Sequence, residues 1–132
     1  MDNVQVYHGK RLDKPIVMKQ GKARGYRYFI ITLGSHPCSY ILFPKGHKWH
    51  GEHYDNIPLD CHGGLTYARD TFLDGIDLDG AWVVGWDYAH LGDFASYGGQ
   101  GLGFKGHKWT IDELQTEMDE VLDQLDPWSE GL

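Results

Sequence analysis

A chain of 132 residues with a net charge of −7 at neutral pH and a pI near 5.5 has the length of one globular domain and too acidic a balance for a non-specific grip on long nucleic acid, which needs clustered Lys and Arg. Hydrophobic residues at 41% and charged residues at 23% exclude disordered and fibrous classes. No apolar run approaches the roughly 18 to 20 residues of a membrane span, and MDNVQVYHGKR has no apolar stretch behind a basic start, so residues 1–132 are expected to form a single cytoplasmic domain with no membrane partner.

Tyr26 to Leu33 (YRYFIITL) is rich in aromatic and β-branched residues and runs into Gly34-Ser35-His36-Pro37, which predicts a strand and a turn. Ser39 to Phe43 reads as the returning strand, ended by Pro44. Lys45 to Pro58 keeps neither a period of 2 nor one of 3.6 and is expected to be a long surface loop. A third strand is expected around Leu59 to Tyr67 and a fourth at Ala81 to Trp86, joined by a turn containing Asp74, Gly75, Asp77, Asp79 and Gly80. That turn lacks the ligand series and closing Glu of a calcium loop. Asp87 to Gly106, crowded with glycine, predicts a functional loop with one helical turn near Tyr88 to Leu91.

Thr110 and Glu113 form a capping box, and Ile111, Leu114, Met118, Val121, Leu122 and Leu125 recur at spacings of three and four until Pro127, which predicts an amphipathic helix. Its opposite face is assigned Asp112, Glu113, Glu117, Asp119, Glu120 and Asp123. The fold class that follows is α+β: a small, mainly antiparallel sheet of four to five strands with long loops and one C-terminal helix packed on it.

Three segments have the residue types for chemistry. Gly101 to Gly106 matches GxGxxG, but no strand precedes it and too little chain follows for a dinucleotide fold, so a flap is the better reading, with Lys105 able to touch an anion. His47, His50 and His53 are spaced for a shared metal only on a helical turn, and Gly46, Gly51 and nearby prolines oppose one, which leaves a histidine-rich loop. The third is a pair of segments, Asp60 to Tyr67 (DCHGGLTY) and Gly85 to Asp93 (GWDYAHLGD). If the strands pair, His62 can approach Asp87, while Asp87, His90 and Asp93 at spacings of three share one face of a turn.

A carboxylate beside an imidazole fixes its tautomer and raises its basicity, which suits acid/base chemistry or metal ligation. His62, Asp87, His90 and Asp93 are therefore the catalytic candidates, and His62, Asp87 and His90 the candidate ligands of a divalent metal. Gly63 and Gly64 are expected to present amides to an anionic oxygen, with Thr66, Tyr67 and Tyr88 completing the ligand contacts. The bland alternative is that both histidines brace loops while the aspartates cap amides. Cys61 and Cys38 lie in no CxxC pair and are expected to be free thiols; Cys61 should point away from His62, because strand neighbours face opposite sides.

SHPCSY (35–40), PKGHKWHGEHYDNI (44–57), HGGLTY (62–67) and WVVGWDYAHLGD (82–93) together resemble a group of small bacteriophage and prophage proteins that has no agreed activity. The resemblance covers about the middle two-thirds of the chain, and in that group the positions of His50 and His53 usually hold other residues. It implies a phage accessory protein in the host bacterial cytosol, with counter-defence as a setting. Three readings of the site stay open: hydrolysis of a small anionic, nucleotide-like ligand; a non-catalytic sponge for a nucleotide immune signal; and direct inhibition of a host defence protein.

Overall fold

A computed structural model describes residues 5–95 and 106–129. It contains five strands, β1 (Ile16–Ala23), β2 (Tyr26–Thr32), β3 (Pro37–Phe43), β4 (Tyr67–Arg69) and β5 (Trp82–Asp87), and one helix, α1 (Ile111–Leu122). All neighbouring strands pair antiparallel, in the order β1-β2-β3-β5-β4, and the fold is α+β with the C-terminal helix on the sheet.

β2 reads as almost continuous apolar sequence because both faces of the sheet are covered there. Tyr26, Tyr28 and Ile30 join Ile41, Phe43, Val84 and Trp86 on the face that receives Leu114, Met118, Val121 and Leu122 of α1. Phe29 and Ile31 join Cys38, Leu42 and Val83 on the other face, closed by Phe72, Leu73, Ile76 and Leu78 of the β4–β5 loop. Each fully buried helix residue contributes about 1.5–3 kcal/mol of transfer free energy, so the apolar stripe of α1, more than its helix propensity, fixes the helix to the sheet. The capping box forms as expected, with Thr110 Oγ1 accepting from the Glu113 amide at 3.2 Å and Glu113 accepting from the Thr110 amide at 2.9 Å.

Two expectations need correction. Residues 59–66 form no strand, because Gly63 and Gly64 both have positive φ and turn the backbone out of line, so only Tyr67–Arg69 pair with β5. Residues 88–91 form a bend rather than a helical turn. Lys45 to Pro58 is the surface loop expected, with one 3₁₀ turn (Tyr54–Asn56) and a buried His47. His47 stacks on Phe43 at 4.4 Å and accepts from the Trp49 amide, while His50 meets the Gly80 carbonyl and His53 caps the 3₁₀ turn. The three imidazoles thus brace three separate pieces of backbone. Among the described residues, no helix is long and apolar enough to cross a membrane.

Candidate active site

The C-terminal end of β5 delivers Asp87 and Tyr88 beside the Cys61 to Gly64 turn, and a bridge between Asp93 and His107 brings the chain back to Trp109 and α1. The two histidines meet here, their ring centroids 5.7 Å apart. Each has its own carboxylate, but the pairing differs from the expected one. His62 Nε2 donates to Asp93 Oδ2 at 2.7 Å, and His90 Nε2 lies 3.2 Å from Asp87 Oδ1. The His62–Asp87 approach does not form, because the 90–93 bend places Asp93 between the His90 amide and the His62 ring.

The His62–Asp93 pair is the better built. Asp93 is 2% exposed and also accepts from Trp109 Nε1 at 2.9 Å and from the His90 amide at 3.1 Å. Burial alone would push its carboxyl up, but the hydrogen bonds from His62, Trp109 and the His90 amide outweigh it and hold the group below the usual carboxylate range. An ionised Asp93 can only accept, so His62 Nε2 carries a proton, and in the neutral ring the lone pair is on Nδ1. The His90–Asp87 contact has ion-pair distance but no hydrogen-bond alignment, and among the described residues His90 Nε2 is left buried without a hydrogen bond. Asp87 is otherwise held by Thr66 Oγ1 and the Ala89 amide, both at 3.1 Å. The side chains of His62, His90 and Asp87 remain 26%, 34% and 27% exposed, enough to meet a ligand.

Two residues not foreseen complete the frame. Glu117 Oε2 accepts the His62 backbone N–H at 2.9 Å, and Glu117 Oε1 accepts a hydrogen bond from Tyr88 Oη. Tyr88 itself stacks under the His62 ring at 4.7 Å and 12°, and Trp109 meets that ring edge-on at 5.1 Å. The expected place of Glu117 on the solvated face of the helix is thus corrected. Its position, three residues after Leu114 and four before Val121, puts it on the apolar stripe, and that signal is present in the sequence.

The remaining candidates divide. Gly63 is needed for packing, because a Cβ there would overlap the His90 ring. The Gly64 amide is spent on the Cys61 carbonyl at 3.0 Å, so the expected pair of anion-binding amides is not available. Tyr67 points to the other face of the sheet, against Tyr40 at 5.3 Å, with its hydroxyl on the Thr71 carbonyl. Tyr88 is fully buried and supports His62 from beneath, so it cannot receive a ligand. Gly101 to Lys105 of the GxGxxG match lie outside the described residues. No three His, Cys, Asp or Glu side chains converge as metal ligands among the described residues; His62, Asp87 and His90 do not do so because each imidazole is turned to a different carboxylate.

The thiols fit no nucleophilic role. Burial, followed by the charges of Glu117 and Asp60, pushes the Cys61 thiol up to about 12, and burial with Asp87 pushes Cys38 up to about 12. Folded protein at pH 8 should therefore react with iodoacetamide at least about tenfold more slowly than free cysteine, followed by intact mass; fast single labelling would show a thiolate at Cys61. Compared with models of known families, with curated proteins and with solved structures, the chain has no significant match.

Proposed function

We propose that His62 and His90 form an acid/base couple acting on a small anionic, nucleotide-like ligand, in a phage-type accessory protein for which counter-defence is the setting. The observation that carries this reading is the pair of part-exposed imidazoles 5.7 Å apart, each beside its own carboxylate. On a phosphodiester, His62 Nδ1 removes a proton from water as its oxygen bonds to phosphorus. His90, whose Nε2 is buried against Asp87, gives a proton from Nδ1 to the departing oxygen as that P–O bond breaks, so one water is consumed and a phosphomonoester and an alcohol are released. His62 takes the base role because an ionised, hydrogen-bonded Asp93 stabilises the imidazolium that forms. The two roles need opposite protonation states, which makes a bell-shaped dependence of rate on pH the expected profile.

The test is to incubate the protein with cyclic mononucleotides, cyclic dinucleotides and ADP-ribose, with and without EDTA, and to separate the products by chromatography and mass spectrometry. One of these should be cleaved, EDTA should leave the rate unchanged, and His62→Ala or His90→Ala should lower it by about 10²–10⁴-fold. A ligand that binds stoichiometrically and is returned intact after denaturation would replace catalysis with sequestration. Full binding and biological effect in both His62→Ala and Asp87→Asn would move the site elsewhere.

A further inference from the structure

His36 is a buried histidine that the proposed acid/base couple does not use. It is 6% exposed, and the fully buried Ser35 is hydrogen-bonded to it, Oγ to Nδ1 at 2.8 Å. Its place in the sheet follows from the pairing. The Leu33 N–H donates to the His36 carbonyl at 3.0 Å, which makes these two residues the closing pair of the β2–β3 hairpin, with Gly34 and Ser35 as its turn. Gly34 supplies the positive φ, 89°, that the first position of such a turn requires.

The register then sets His36 beside the acid half of the site. Leu33 packs with Phe29, Ile31 and Cys38 on the face of the sheet away from α1, so His36, opposite Leu33 and two residues before Cys38, belongs to that face. Cys38 is the cross-strand partner of Asp87, and the Tyr88 N–H donates to the Pro37 carbonyl at 3.1 Å, so the pairing holds to the end of β5. His36 and Asp87 are therefore diagonal neighbours on one face, a separation of about 7–8 Å that long and aromatic side chains span. Asp87 Oδ1 in turn has His90 Nε2 at 3.2 Å. One carboxylate thus serves two imidazoles, His90 part-exposed and His36 buried.

The electrostatics agree. Burial holds the His36 imidazole below its usual range; of the described charges around it, Asp87 acts most strongly and pulls the other way, followed by Arg11 and His90, which push it down, and Asp93, which raises it. His36 is accordingly neutral at pH 7 and leaves the charge of Asp87 to His90.

Resting on the reading of His90 as the acid, we propose that His36 is its positioning residue: a buried imidazole that backs Asp87 and keeps the carboxylate turned to His90. Too buried to meet the ligand, it acts only through Asp87.

The experiment follows the pH titration of the histidine side-chain signals by nuclear magnetic resonance, each assigned through its own backbone amide. In Asp87→Asn the His36 midpoint should fall, and in His90→Gln it should rise, each by about 0.3 pH unit or more, the size expected of one charge at this range in a part-solvated site. Neither substitution alters His36 itself. In His36→Phe, which keeps a buried ring and removes its nitrogens, the His90 midpoint should fall by a similar amount as Asp87 turns away, with that of His62 unmoved; a merely structural loss would move both. If the Phe variant does not fold, His36→Gln gives the same reading. A His36 midpoint indifferent to both Asp87→Asn and His90→Gln would overturn the proposal, as would a His90 midpoint unchanged in a folded His36 variant. Coupled midpoints in a protein that cleaves no nucleotide would overturn the acid reading of His90 and keep His36 as the residue that positions its ring, whereas cleavage with uncoupled midpoints would overturn His36 and keep the acid.

Discussion

Asp93→Asn is expected to lower stability at pH 7 by about 2–4 kcal/mol, the usual cost of breaking a buried charge-assisted hydrogen-bond set, and to abolish any turnover that depends on His62. The carboxylate accepts from His62, Trp109 and the His90 amide, and an amide in its place keeps one acceptor while turning an N–H₂ towards donors. The pH dependence has a definite sign. The folded-state value of Asp93 is depressed, so its contribution is fully present above the unfolded carboxylate value of about 4 and is lost as pH falls through the depressed folded value. Urea unfolding of wild type and variant should therefore show a stability difference that is largest near neutrality and shrinks in acid. A difference independent of pH, or smaller than about 0.5 kcal/mol at pH 7, would mean that the Asp93 hydrogen bonds do not hold this site together.

Gly63→Ala should cost about 2–3 kcal/mol, while Gly64→Ala should cost only about 1 kcal/mol. Both residues have positive φ, 70° and 82°, so both substitutions carry the strain of a left-handed L-residue. The difference lies in what the new methyl meets: among the described residues, nothing within 4 Å at Gly64, but the His90 ring at Gly63. Since His90 must move away, the Gly63 variant should also lose the His90–Asp87 contact and the acid half of the proposed couple. Thermal unfolding gives the stability half of the comparison, and the His90 imidazole resonances give the other. Equal destabilisation with an undisturbed His90 would show that the close approach of ring and backbone is not a constraint.

These contacts show where sequence pattern is informative and where it stops. α1 is legible because its cap, its stripe and its terminating proline are all local, and β2, β3 and β5 because aromatic and β-branched runs bounded by Gly and Pro have few other readings. β1 is not: it is an edge strand carrying Lys19, Gln20, Gly21 and Lys22, and a bulge between Val17 and Lys19 breaks the alternation. The segment from Leu59 misleads because Leu59 and Cys61 alternate inwards without pairing to a neighbour. In the site, the sequence identifies four side chains that do come together, His62, Asp87, His90 and Asp93. It does not say which aspartate serves which histidine, because that depends on a four-residue bend. Trp109 and Glu117 enter from a distant part of the chain through tertiary packing, and only the place of Glu117 in the apolar stripe announces it.

The strand order also bears on the sequence of assembly. β1, β2 and β3 come from the continuous stretch 16–43 and form a meander through nearby contacts, whereas the β3–β5 pairing joins Cys38 to Asp87 across a long intervening segment. Closing such a loop has an entropic cost that local hairpins avoid, so the meander is the natural nucleus and β5 is added to it. The His/Asp cluster draws on residue 62, on 87–93, on 109 and on 117, which places it beyond both steps, waiting for the helix to dock. The site is thus tied to the docking of α1: loosening that helix would draw Glu117 away from His62 and Tyr88 without breaking any strand pairing, so the site is coupled to the helix rather than to the sheet alone.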